Sequence, residues 1–217
     1  MTITNGRDEQ SKIHILEQYH LYPVIHTVLL QGRSMTCCCG QPITDEFYQF
    51  DAVDHAGNVL NVLFASVTCA QTLSRLSQTH GLEPIVLLPL FNPMQHPHGE
   101  VSDEWGMHEH SVPRHPLNAE VEEAIFLTLI CEDSPPQQRH VFSQLLNRIR
   151  HNPTFPIMDW EVKSINSTIS KGGKCLNAML NAQREKNADL KHYAFPEMSA
   201  ALKREEARTG LRIHCEL

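Results

Sequence analysis

The thiols of this chain are concentrated in MTCCCG (35–40), where three consecutive cysteines directly precede a glycine. Thiolates on a tight bend can present two sulfurs to one zinc ion, each about 2.3 Å from it. Gly40 suits such a bend because a residue without a Cβ reaches backbone conformations that other residues avoid. Cys37 and Cys39 are therefore the first candidate zinc ligands. Burial as small apolar side chains and redox chemistry are the alternative interpretations.

A further sulfur, that of Cys69, follows thirty residues after Cys39. We expect a helix that begins near Val67 after a cap at Ser66 or Thr68, and Cys69 falls in its first turn. The free amides of that turn favour a thiolate at Cys69. Before it, EFYQFDAV and VLNVLFA flank the turn-forming DHAGN, which predicts a β-hairpin. A bend, a hairpin and a helix whose first turn supplies a ligand form the layout of a treble-clef zinc finger.

The segments CCCG and VLFASVTCAQTL together resemble the CxCG…GSxC pattern of treble-clef-like zinc-binding modules in bacterial and phage accessory proteins. LPLFNP (88–93) is similar to the stretch that follows this pattern in some of them. The resemblance covers roughly residues 35–93 and implies that Cys37, Cys39 and Cys69 bind Zn²⁺. Thr72 stands where the pattern places a second helical cysteine, so the resemblance leaves the fourth ligand open.

The fourth ligand is sought among histidines and the remaining cysteine of the bend. We assign His96, with His98 and His26 as alternatives. His55 is set aside because it lies at the hairpin tip, on the order of 30 Å from the bend. Cys38 is disfavoured because adjacent side chains rarely converge on one ion. A water molecule at an open position would instead make the zinc catalytic.

The segment 92–118 is rich in Pro, His and Gly, shows no periodicity and is predicted to be a long loop. Side chains of the type that can bind a metal in this segment include His96, His98, Asp103, Glu104, His108, Glu109, His110 and His115. A metal-dependent hydrolase would use a metal-bound water as nucleophile and Glu104 or Glu109 as general base. Because no HExxH motif is present, we favour a loop that meets solvent or a partner.

The expected fold class is α+β: a small zinc-stabilised β-hairpin and helix module, treble-clef-like, followed by a mainly helical C-terminal region. The expected parts are an α+β zinc module (1–91), the His- and Pro-rich loop (92–118) and a basic helical region (119–217). A strand is predicted at 24–30, and helices are predicted at 11–22, 118–133, 135–152, 174–187 and 195–210.

Charge differs between the two parts of the chain. Residues 1–136 carry 5 Lys and Arg against 17 Asp and Glu, whereas residues 137–217 carry 13 against 8. A basic C-terminal region is compatible with nucleic-acid binding, although the overall charge of −7 repels phosphates. The same helices can dock onto an acidic protein surface.

Composition restricts the class of protein. No apolar run approaches the ~20 residues of a membrane span, and the polar N-terminus lacks the apolar core of a secretion signal. Seven cysteines without such a signal predict reduced thiols in a cytoplasmic protein. We therefore expect a non-enzymatic accessory protein that recognises a protein partner. A metal-dependent hydrolase and a nucleic-acid-binding factor are the alternatives.

Overall fold

The computed structural model describes residues 3–95, 113–132, 136–170 and 173–217. The described residues form a mixed α/β fold of seven helices and five strands. The chain divides into two compact units, Met1–Asn92 and Pro93–Leu217, and all five strands lie in the first. Most of the expected loop 92–118 lies outside the described residues, so the three-part organisation stays a prediction.

The first unit combines a three-stranded antiparallel sheet, in the order β1-β4-β5, with a short hairpin β2-β3 and two helices. Its elements are α1 (Glu9–Gln18), β1 (His20–Val28), β2 (Met35–Thr36), β3 (Pro42–Ile43), β4 (Glu46–Val53), β5 (Val59–Ser66) and α2 (Val67–Thr79). The predicted β4-β5 hairpin is confirmed, with Phe50 paired to Leu63. Its turn is fixed by Asp54, whose carboxylate accepts the backbone N–H groups of Ala56 and Asn58.

The N-terminal helix is shorter than predicted, because the chain turns extended at Tyr19 and β1 begins at His20. Pro23 therefore lies in a strand rather than after a helix. It occupies an edge strand next to a register shift between Pro23 and Ile25, which is where a sheet tolerates a residue without an N–H. The predicted strand at 24–30 thus begins earlier and ends at Val28.

The core of the first unit lies between the sheet and the two helices. Phe50, Leu63 and Leu73 are fully buried at 0% exposure, and Leu76 beside them is 2% exposed. Leu73 and Leu76 are three residues apart, so they lie on one face of α2, the face that meets the core. Cys37 and Cys38 belong to the same buried cluster, so the cysteine bend is packed into the core of this unit.

The second unit is built around α3, which is buried along most of its length and packs against α4, α5, α6 and α7. Its helices are α3 (Pro116–Cys131), α4 (Pro136–His151), α5 (Asp159–Ser170), α6 (Leu176–Arg184) and α7 (Pro196–Thr209). No helix among the described residues has both the length and the hydropathy needed to cross a bilayer.

Two features of the second unit differ from prediction. Helix α5 was not predicted, since its sequence DWEVKSINSTIS mixes polar and β-branched residues. Helix α3 begins at Pro116 with His115 as its N-cap, two residues before the predicted start at 118. Asn118 is instead fully buried, donating to the carbonyls of Pro153 and Phe155 and accepting the N–H of Ile157.

Candidate metal centre

The three consecutive cysteines occupy the tip of the short β2-β3 hairpin. The Cys37 N–H donates to the Gln41 carbonyl at 2.8 Å, and the Gly40 N–H donates to the Cys37 carbonyl at 2.8 Å. Gly40 has a φ of 84°, a left-handed conformation that favours glycine. The CCCG sequence therefore folds as the tight bend that its glycine predicts.

Backbone hydrogen bonds at Cys38 hold this bend against its neighbours. The Cys38 N–H donates to the Phe64 carbonyl on β5 at 2.6 Å, and the Gly6 N–H donates to the Cys38 carbonyl at 2.7 Å. A Cβ at Gly6 would lie 3.0 Å from the Ile15 Cδ1 and 3.3 Å from the Cys38 carbonyl oxygen. The close approach to Cys38 thus needs a glycine at position 6.

Ser66 connects the bend to the start of α2. It is the N-cap, and its hydroxyl accepts the N–H of Cys69 at 3.4 Å, as one of the two predicted caps. Its own N–H points at the Cys37 sulfur, with an N–S distance of 3.4 Å. Cys69 therefore lies in the first turn of α2, where it was predicted, next to the bend.

Three sulfurs converge at this place. The ligand atoms of Cys37, Cys38 and Cys69 all lie within 4.8 Å of one another, and the Cys37 and Cys38 sulfurs are 3.9 Å apart. Two sulfurs bound about 2.3 Å from one tetrahedral ion are roughly 3.8 Å apart. This geometry fits a metal site, and it includes Cys38, which we expected to point elsewhere.

Cys39 belongs to the same cluster. Its thiol interacts with the sulfurs of Cys37 and Cys69, and its backbone N–H donates to Cys37. It is half-buried, like Cys69, whereas Cys37 and Cys38 are buried. The cluster of Cys37, Cys38, Cys39 and Cys69 thus supplies four sulfurs that can bind a metal.

The electrostatics of the cluster favour negative charge on one sulfur. Donation of the Cys38 S–H lowers the pKa of Cys37 to about 4, and the N–H groups of Cys39 and Ser66 act in the same direction against burial. The same hydrogen bond, with burial, raises the pKa of Cys38 far above that of an ordinary thiol. Burial is the largest effect on Cys69 and raises its pKa to about 11.

A metal ion would bind thiolates, so it must displace these protons from the remaining sulfurs. Lys12 on α1 is buried, and its charge favours a thiolate at Cys38. The N-terminus of α2 contributes a partial positive charge close to Cys69. These groups offset part of the negative charge that four thiolates bring to one ion.

The remaining candidates lie elsewhere or outside the described residues. His96 and His98 fall outside them, as do His108, His110, Asp103, Glu104 and Glu109. The ring of His26 is stacked on Tyr48 with centroids 3.9 Å apart, and its Nδ1 lies 3.2 Å from the Leu88 carbonyl oxygen. His55 pairs with His20 at the hairpin tip.

Two contributors to the site were not recognised in the sequence. Ser66 was predicted only as a helix cap, although its N–H also contacts Cys37. Lys12 lies in α1, where polar and apolar residues are mixed. Its position among them does not indicate that its side chain is buried. The Ser-x-x-Cys pattern at 66–69 is the sequence feature that indicates a capped thiol at the start of α2.

Comparison with known proteins identifies a family. The family described as uncharacterised conserved protein UCP028583 matches residues 4–210. The chain belongs to this family. The match includes all four cysteines of the cluster and extends through both units. No curated protein and no solved structure matches the chain.

Proposed function

We propose that Met1–Asn92 is a treble-clef-like module stabilised by one zinc ion, and that the chain acts without catalysis by recognising a protein partner. The convergence of the Cys37, Cys38 and Cys69 sulfurs, with Cys39 beside them in the bend, carries the first part of this proposal. Thiolate ligands select zinc, copper(I) or iron–sulfur clusters. Three mutually close sulfurs, two of them at the separation of a tetrahedral site, with Cys39 as a fourth cysteine in the same bend, favour a closed structural zinc site.

The fourth ligand in this proposal is Cys38, and His96 is the alternative. Cys38 is 0% exposed and its sulfur lies 3.9 Å from that of Cys37. A ligand from the bend itself closes the site without any contribution from 92–118. His96 would instead tie that segment to the bend.

Metal analysis of the purified full chain tests the site. We expect one zinc per chain, lost in Cys37→Ser and in Cys69→Ser and retained in the control Cys215→Ser, which alters an exposed cysteine. Loss of zinc in Cys38→Ser with retention in His96→Ala assigns the fourth ligand to Cys38. A chain free of zinc, or full zinc content in Cys37→Ser and Cys69→Ser, would contradict the proposal.

The state of the cysteines suits a reducing compartment. All seven are free, and Cys131, Cys175 and Cys215 lie outside the cluster. Thiolates that bind zinc must stay reduced, which cytosolic conditions ensure. We accordingly propose a cytoplasmic location.

Protein recognition is supported by an apolar surface on the second unit, which we call the FMW surface and define as Phe155, Met158 and Trp160. These side chains are 73%, 53% and 53% exposed, respectively. A groove of about 530 Å³ adjoins Met158 and is also lined by His115, Leu117 and Ile157. Exposed aromatic and methionine side chains of this kind are enriched in protein interfaces.

Site-specific photo-crosslinking tests the FMW surface. A crosslinking residue at position 160 of the full chain should trap a defined protein in cells, and Phe155→Ser should reduce that product. The same residue at exposed Glu185 is the control. Identical products from both positions, or no effect of Phe155→Ser, would contradict the assignment.

The observed ion pairs disfavour the nucleic-acid alternative. Arg148, Arg150, Arg204 and Arg208 each contact a carboxylate of their own unit. Side chains engaged in this way neutralise fewer phosphates. The hydrolase alternative rests on Glu104, Glu109 and the histidines near them, which lie outside the described residues, and stays a prediction.

A further inference from the structure

Two histidines and a glutamate meet at the end of the first unit that carries the β4-β5 turn. His20 begins β1, and its backbone pairs with Val53 at the end of β4. His55 lies in the turn that follows Val53, and Glu83 follows α2. The antiparallel pairing of β1 with β4 therefore brings residues that are distant in sequence to one place.

The contacts among these side chains form a chain of three groups. His20 Nδ1 lies 2.7 Å from Glu83 Oε2, and His20 Nε2 lies 3.2 Å from His55 Nδ1. The two rings meet edge to face, with an interplanar angle of 86°. The Tyr22 hydroxyl donates to the other carboxylate oxygen of Glu83 at 3.5 Å.

The glutamate fixes the tautomer of His20. A carboxylate only accepts hydrogen bonds, so the proton of neutral His20 resides on Nδ1. The Nε2 of His20 then presents a lone pair toward His55. The His55 Nδ1 at this distance therefore either donates its own N–H to His20 Nε2 or binds a metal ion together with it.

We propose that His20 Nε2 and His55 Nδ1 bind one divalent transition-metal ion and that Glu83 supports His20 as its outer partner. Two nitrogens bound 2.0–2.1 Å from one tetrahedral ion lie roughly 3.3 Å apart, close to the separation observed here. A metal-binding histidine usually donates its second ring N–H to a carboxylate, as His20 does to Glu83.

The ligand type and exposure restrict the metal. Imidazole nitrogens suit Zn²⁺, Ni²⁺ and Cu²⁺. The side chains of His20 and Glu83 are 37% and 51% exposed, so water or a partner's side chain completes the coordination. This site is separate from the cysteine cluster, since β5 extends roughly 17 Å from Phe64, which accepts the Cys38 N–H, to Val59 beside the turn.

Calorimetric titration with Ni²⁺ tests the proposal on the full chain as purified. His96, His98, His108 and His110 are first replaced by alanine, so that they do not bind the added metal. In this background we expect one Ni²⁺ equivalent that His20→Ala and His55→Ala each abolish. His80→Ala is the matched control, because His80 is an exposed histidine at the end of α2 in the same unit.

Replacing Glu83 separates a metal site from a simple hydrogen bond. Glu83→Gln retains the shape of the side chain and should weaken Ni²⁺ binding by about 10-fold to 100-fold, as loss of an outer partner does elsewhere. Equal Ni²⁺ stoichiometry and affinity in the background, His20→Ala and His55→Ala would overturn the proposal and leave a simple hydrogen bond between the two rings. His55 lies in an exposed turn, so His55→Ala tests the site even if His20→Ala disturbs β1. Because only Ni²⁺ differences between variants are compared, the result does not depend on zinc at the cysteines.

Discussion

In Met1–Asn92 the buried ionisable groups include thiols gathered at one bend, whereas in Pro93–Leu217 they include carboxylates enclosed by arginines. Glu122 on α3 is contacted by Arg114 and Arg150, and Glu161 on α5 is contacted by Arg148. The second unit therefore neutralises its buried acids with its own cations. Among the described residues, the cysteine cluster has Lys12, a helix terminus and, beside Gly40, the Arg7 guanidinium nearby. Four bound thiolates would carry a charge of −4, which these groups offset only in part, so an ion would supply much of the rest.

This comparison predicts that the two units depend on metal to different degrees. A zinc-free, reduced full chain should lose amide protection at Leu63 and Leu73, while Ile125 and Ile165 keep theirs. Structural zinc contributes on the order of 10 kcal/mol to small modules. We therefore expect zinc removal to have the largest effect on the first unit. Hydrogen exchange with and without a chelator measures it, and Cys37→Ser should show no further response to the chelator.

Equal loss of amide protection in both units would contradict the expected difference between them. It would mean that the second unit also depends on the metal. Unchanged exchange at Leu63 and Leu73 would instead show that packing alone stabilises the cysteine bend.

The second unit should respond most strongly to loss of a buried acid. Glu122 is 4% exposed, and Glu122→Ala removes the buried carboxylate that Arg114 and Arg150 both contact. We expect a loss of about 3–5 kcal/mol in the free energy of unfolding of this unit. Urea unfolding followed by exchange at Ile125 measures it.

Exposed Glu185 provides the matched control, because Glu185→Gln removes a charge of the same sign from the same unit. Zinc content should be unchanged in both variants. If Glu122→Ala lowers the free energy of unfolding by less than about 1 kcal/mol, these ion pairs contribute no more than ordinary surface pairs do.

Glu123 is an exception within the second unit, because burial, followed by the charge of Glu120, raises its pKa to about 7 from a model-compound value of 4.5. The folded chain therefore holds this proton at pH values where the unfolded chain has released it. Stability attributable to Glu123 is complete below about pH 4.5 and falls as the pH rises to about 7. Glu123→Gln should then stabilise the second unit by roughly 3 kcal/mol at pH 8.

Thermal unfolding at pH 5 and pH 8 measures this dependence. The stabilisation by Glu123→Gln should be much smaller at pH 5, and Glu185→Gln should not reproduce it. The same gain at both pH values would show that the benefit arises from packing rather than from the proton.

The two units also differ in how far their sequences predict them. Alternation in 46–53, the DHAGN turn and the cap at Ser66 predict the hairpin and α2, because each is a local pattern. The strands of β2-β3 contain two residues each, too few for any periodicity. Convergence of Cys38 on Cys37 depends on the backbone of that bend, which spacing alone does not determine.

Long-range polar contacts escape prediction in both units for a related reason. Glu122 and Glu123 are adjacent acids in one helix, yet only Glu122 meets Arg114 and Arg150, because the partners are selected by helix packing. His20 and His55 similarly meet only through the register of β1 on β4. Cys37, Cys39 and Cys69 could be chosen as candidates because thiols are few and clustered in the sequence.

The smallest expected effect concerns Ser66, which serves both the fold and the cysteine cluster. Ser66→Ala removes the acceptor of the Cys69 N–H, and loss of such a cap costs about 1 kcal/mol. The variant keeps its backbone N–H on Cys37, so zinc content should be preserved while the free energy of unfolding of the first unit falls. Thr68→Ala is the control, because Thr68 is exposed and lies two residues after Ser66. It should change neither the zinc content nor the free energy of unfolding. Loss of zinc in Ser66→Ala would assign the hydroxyl a direct part in the cluster, whereas an equal effect of Thr68→Ala would transfer the capping role to that residue.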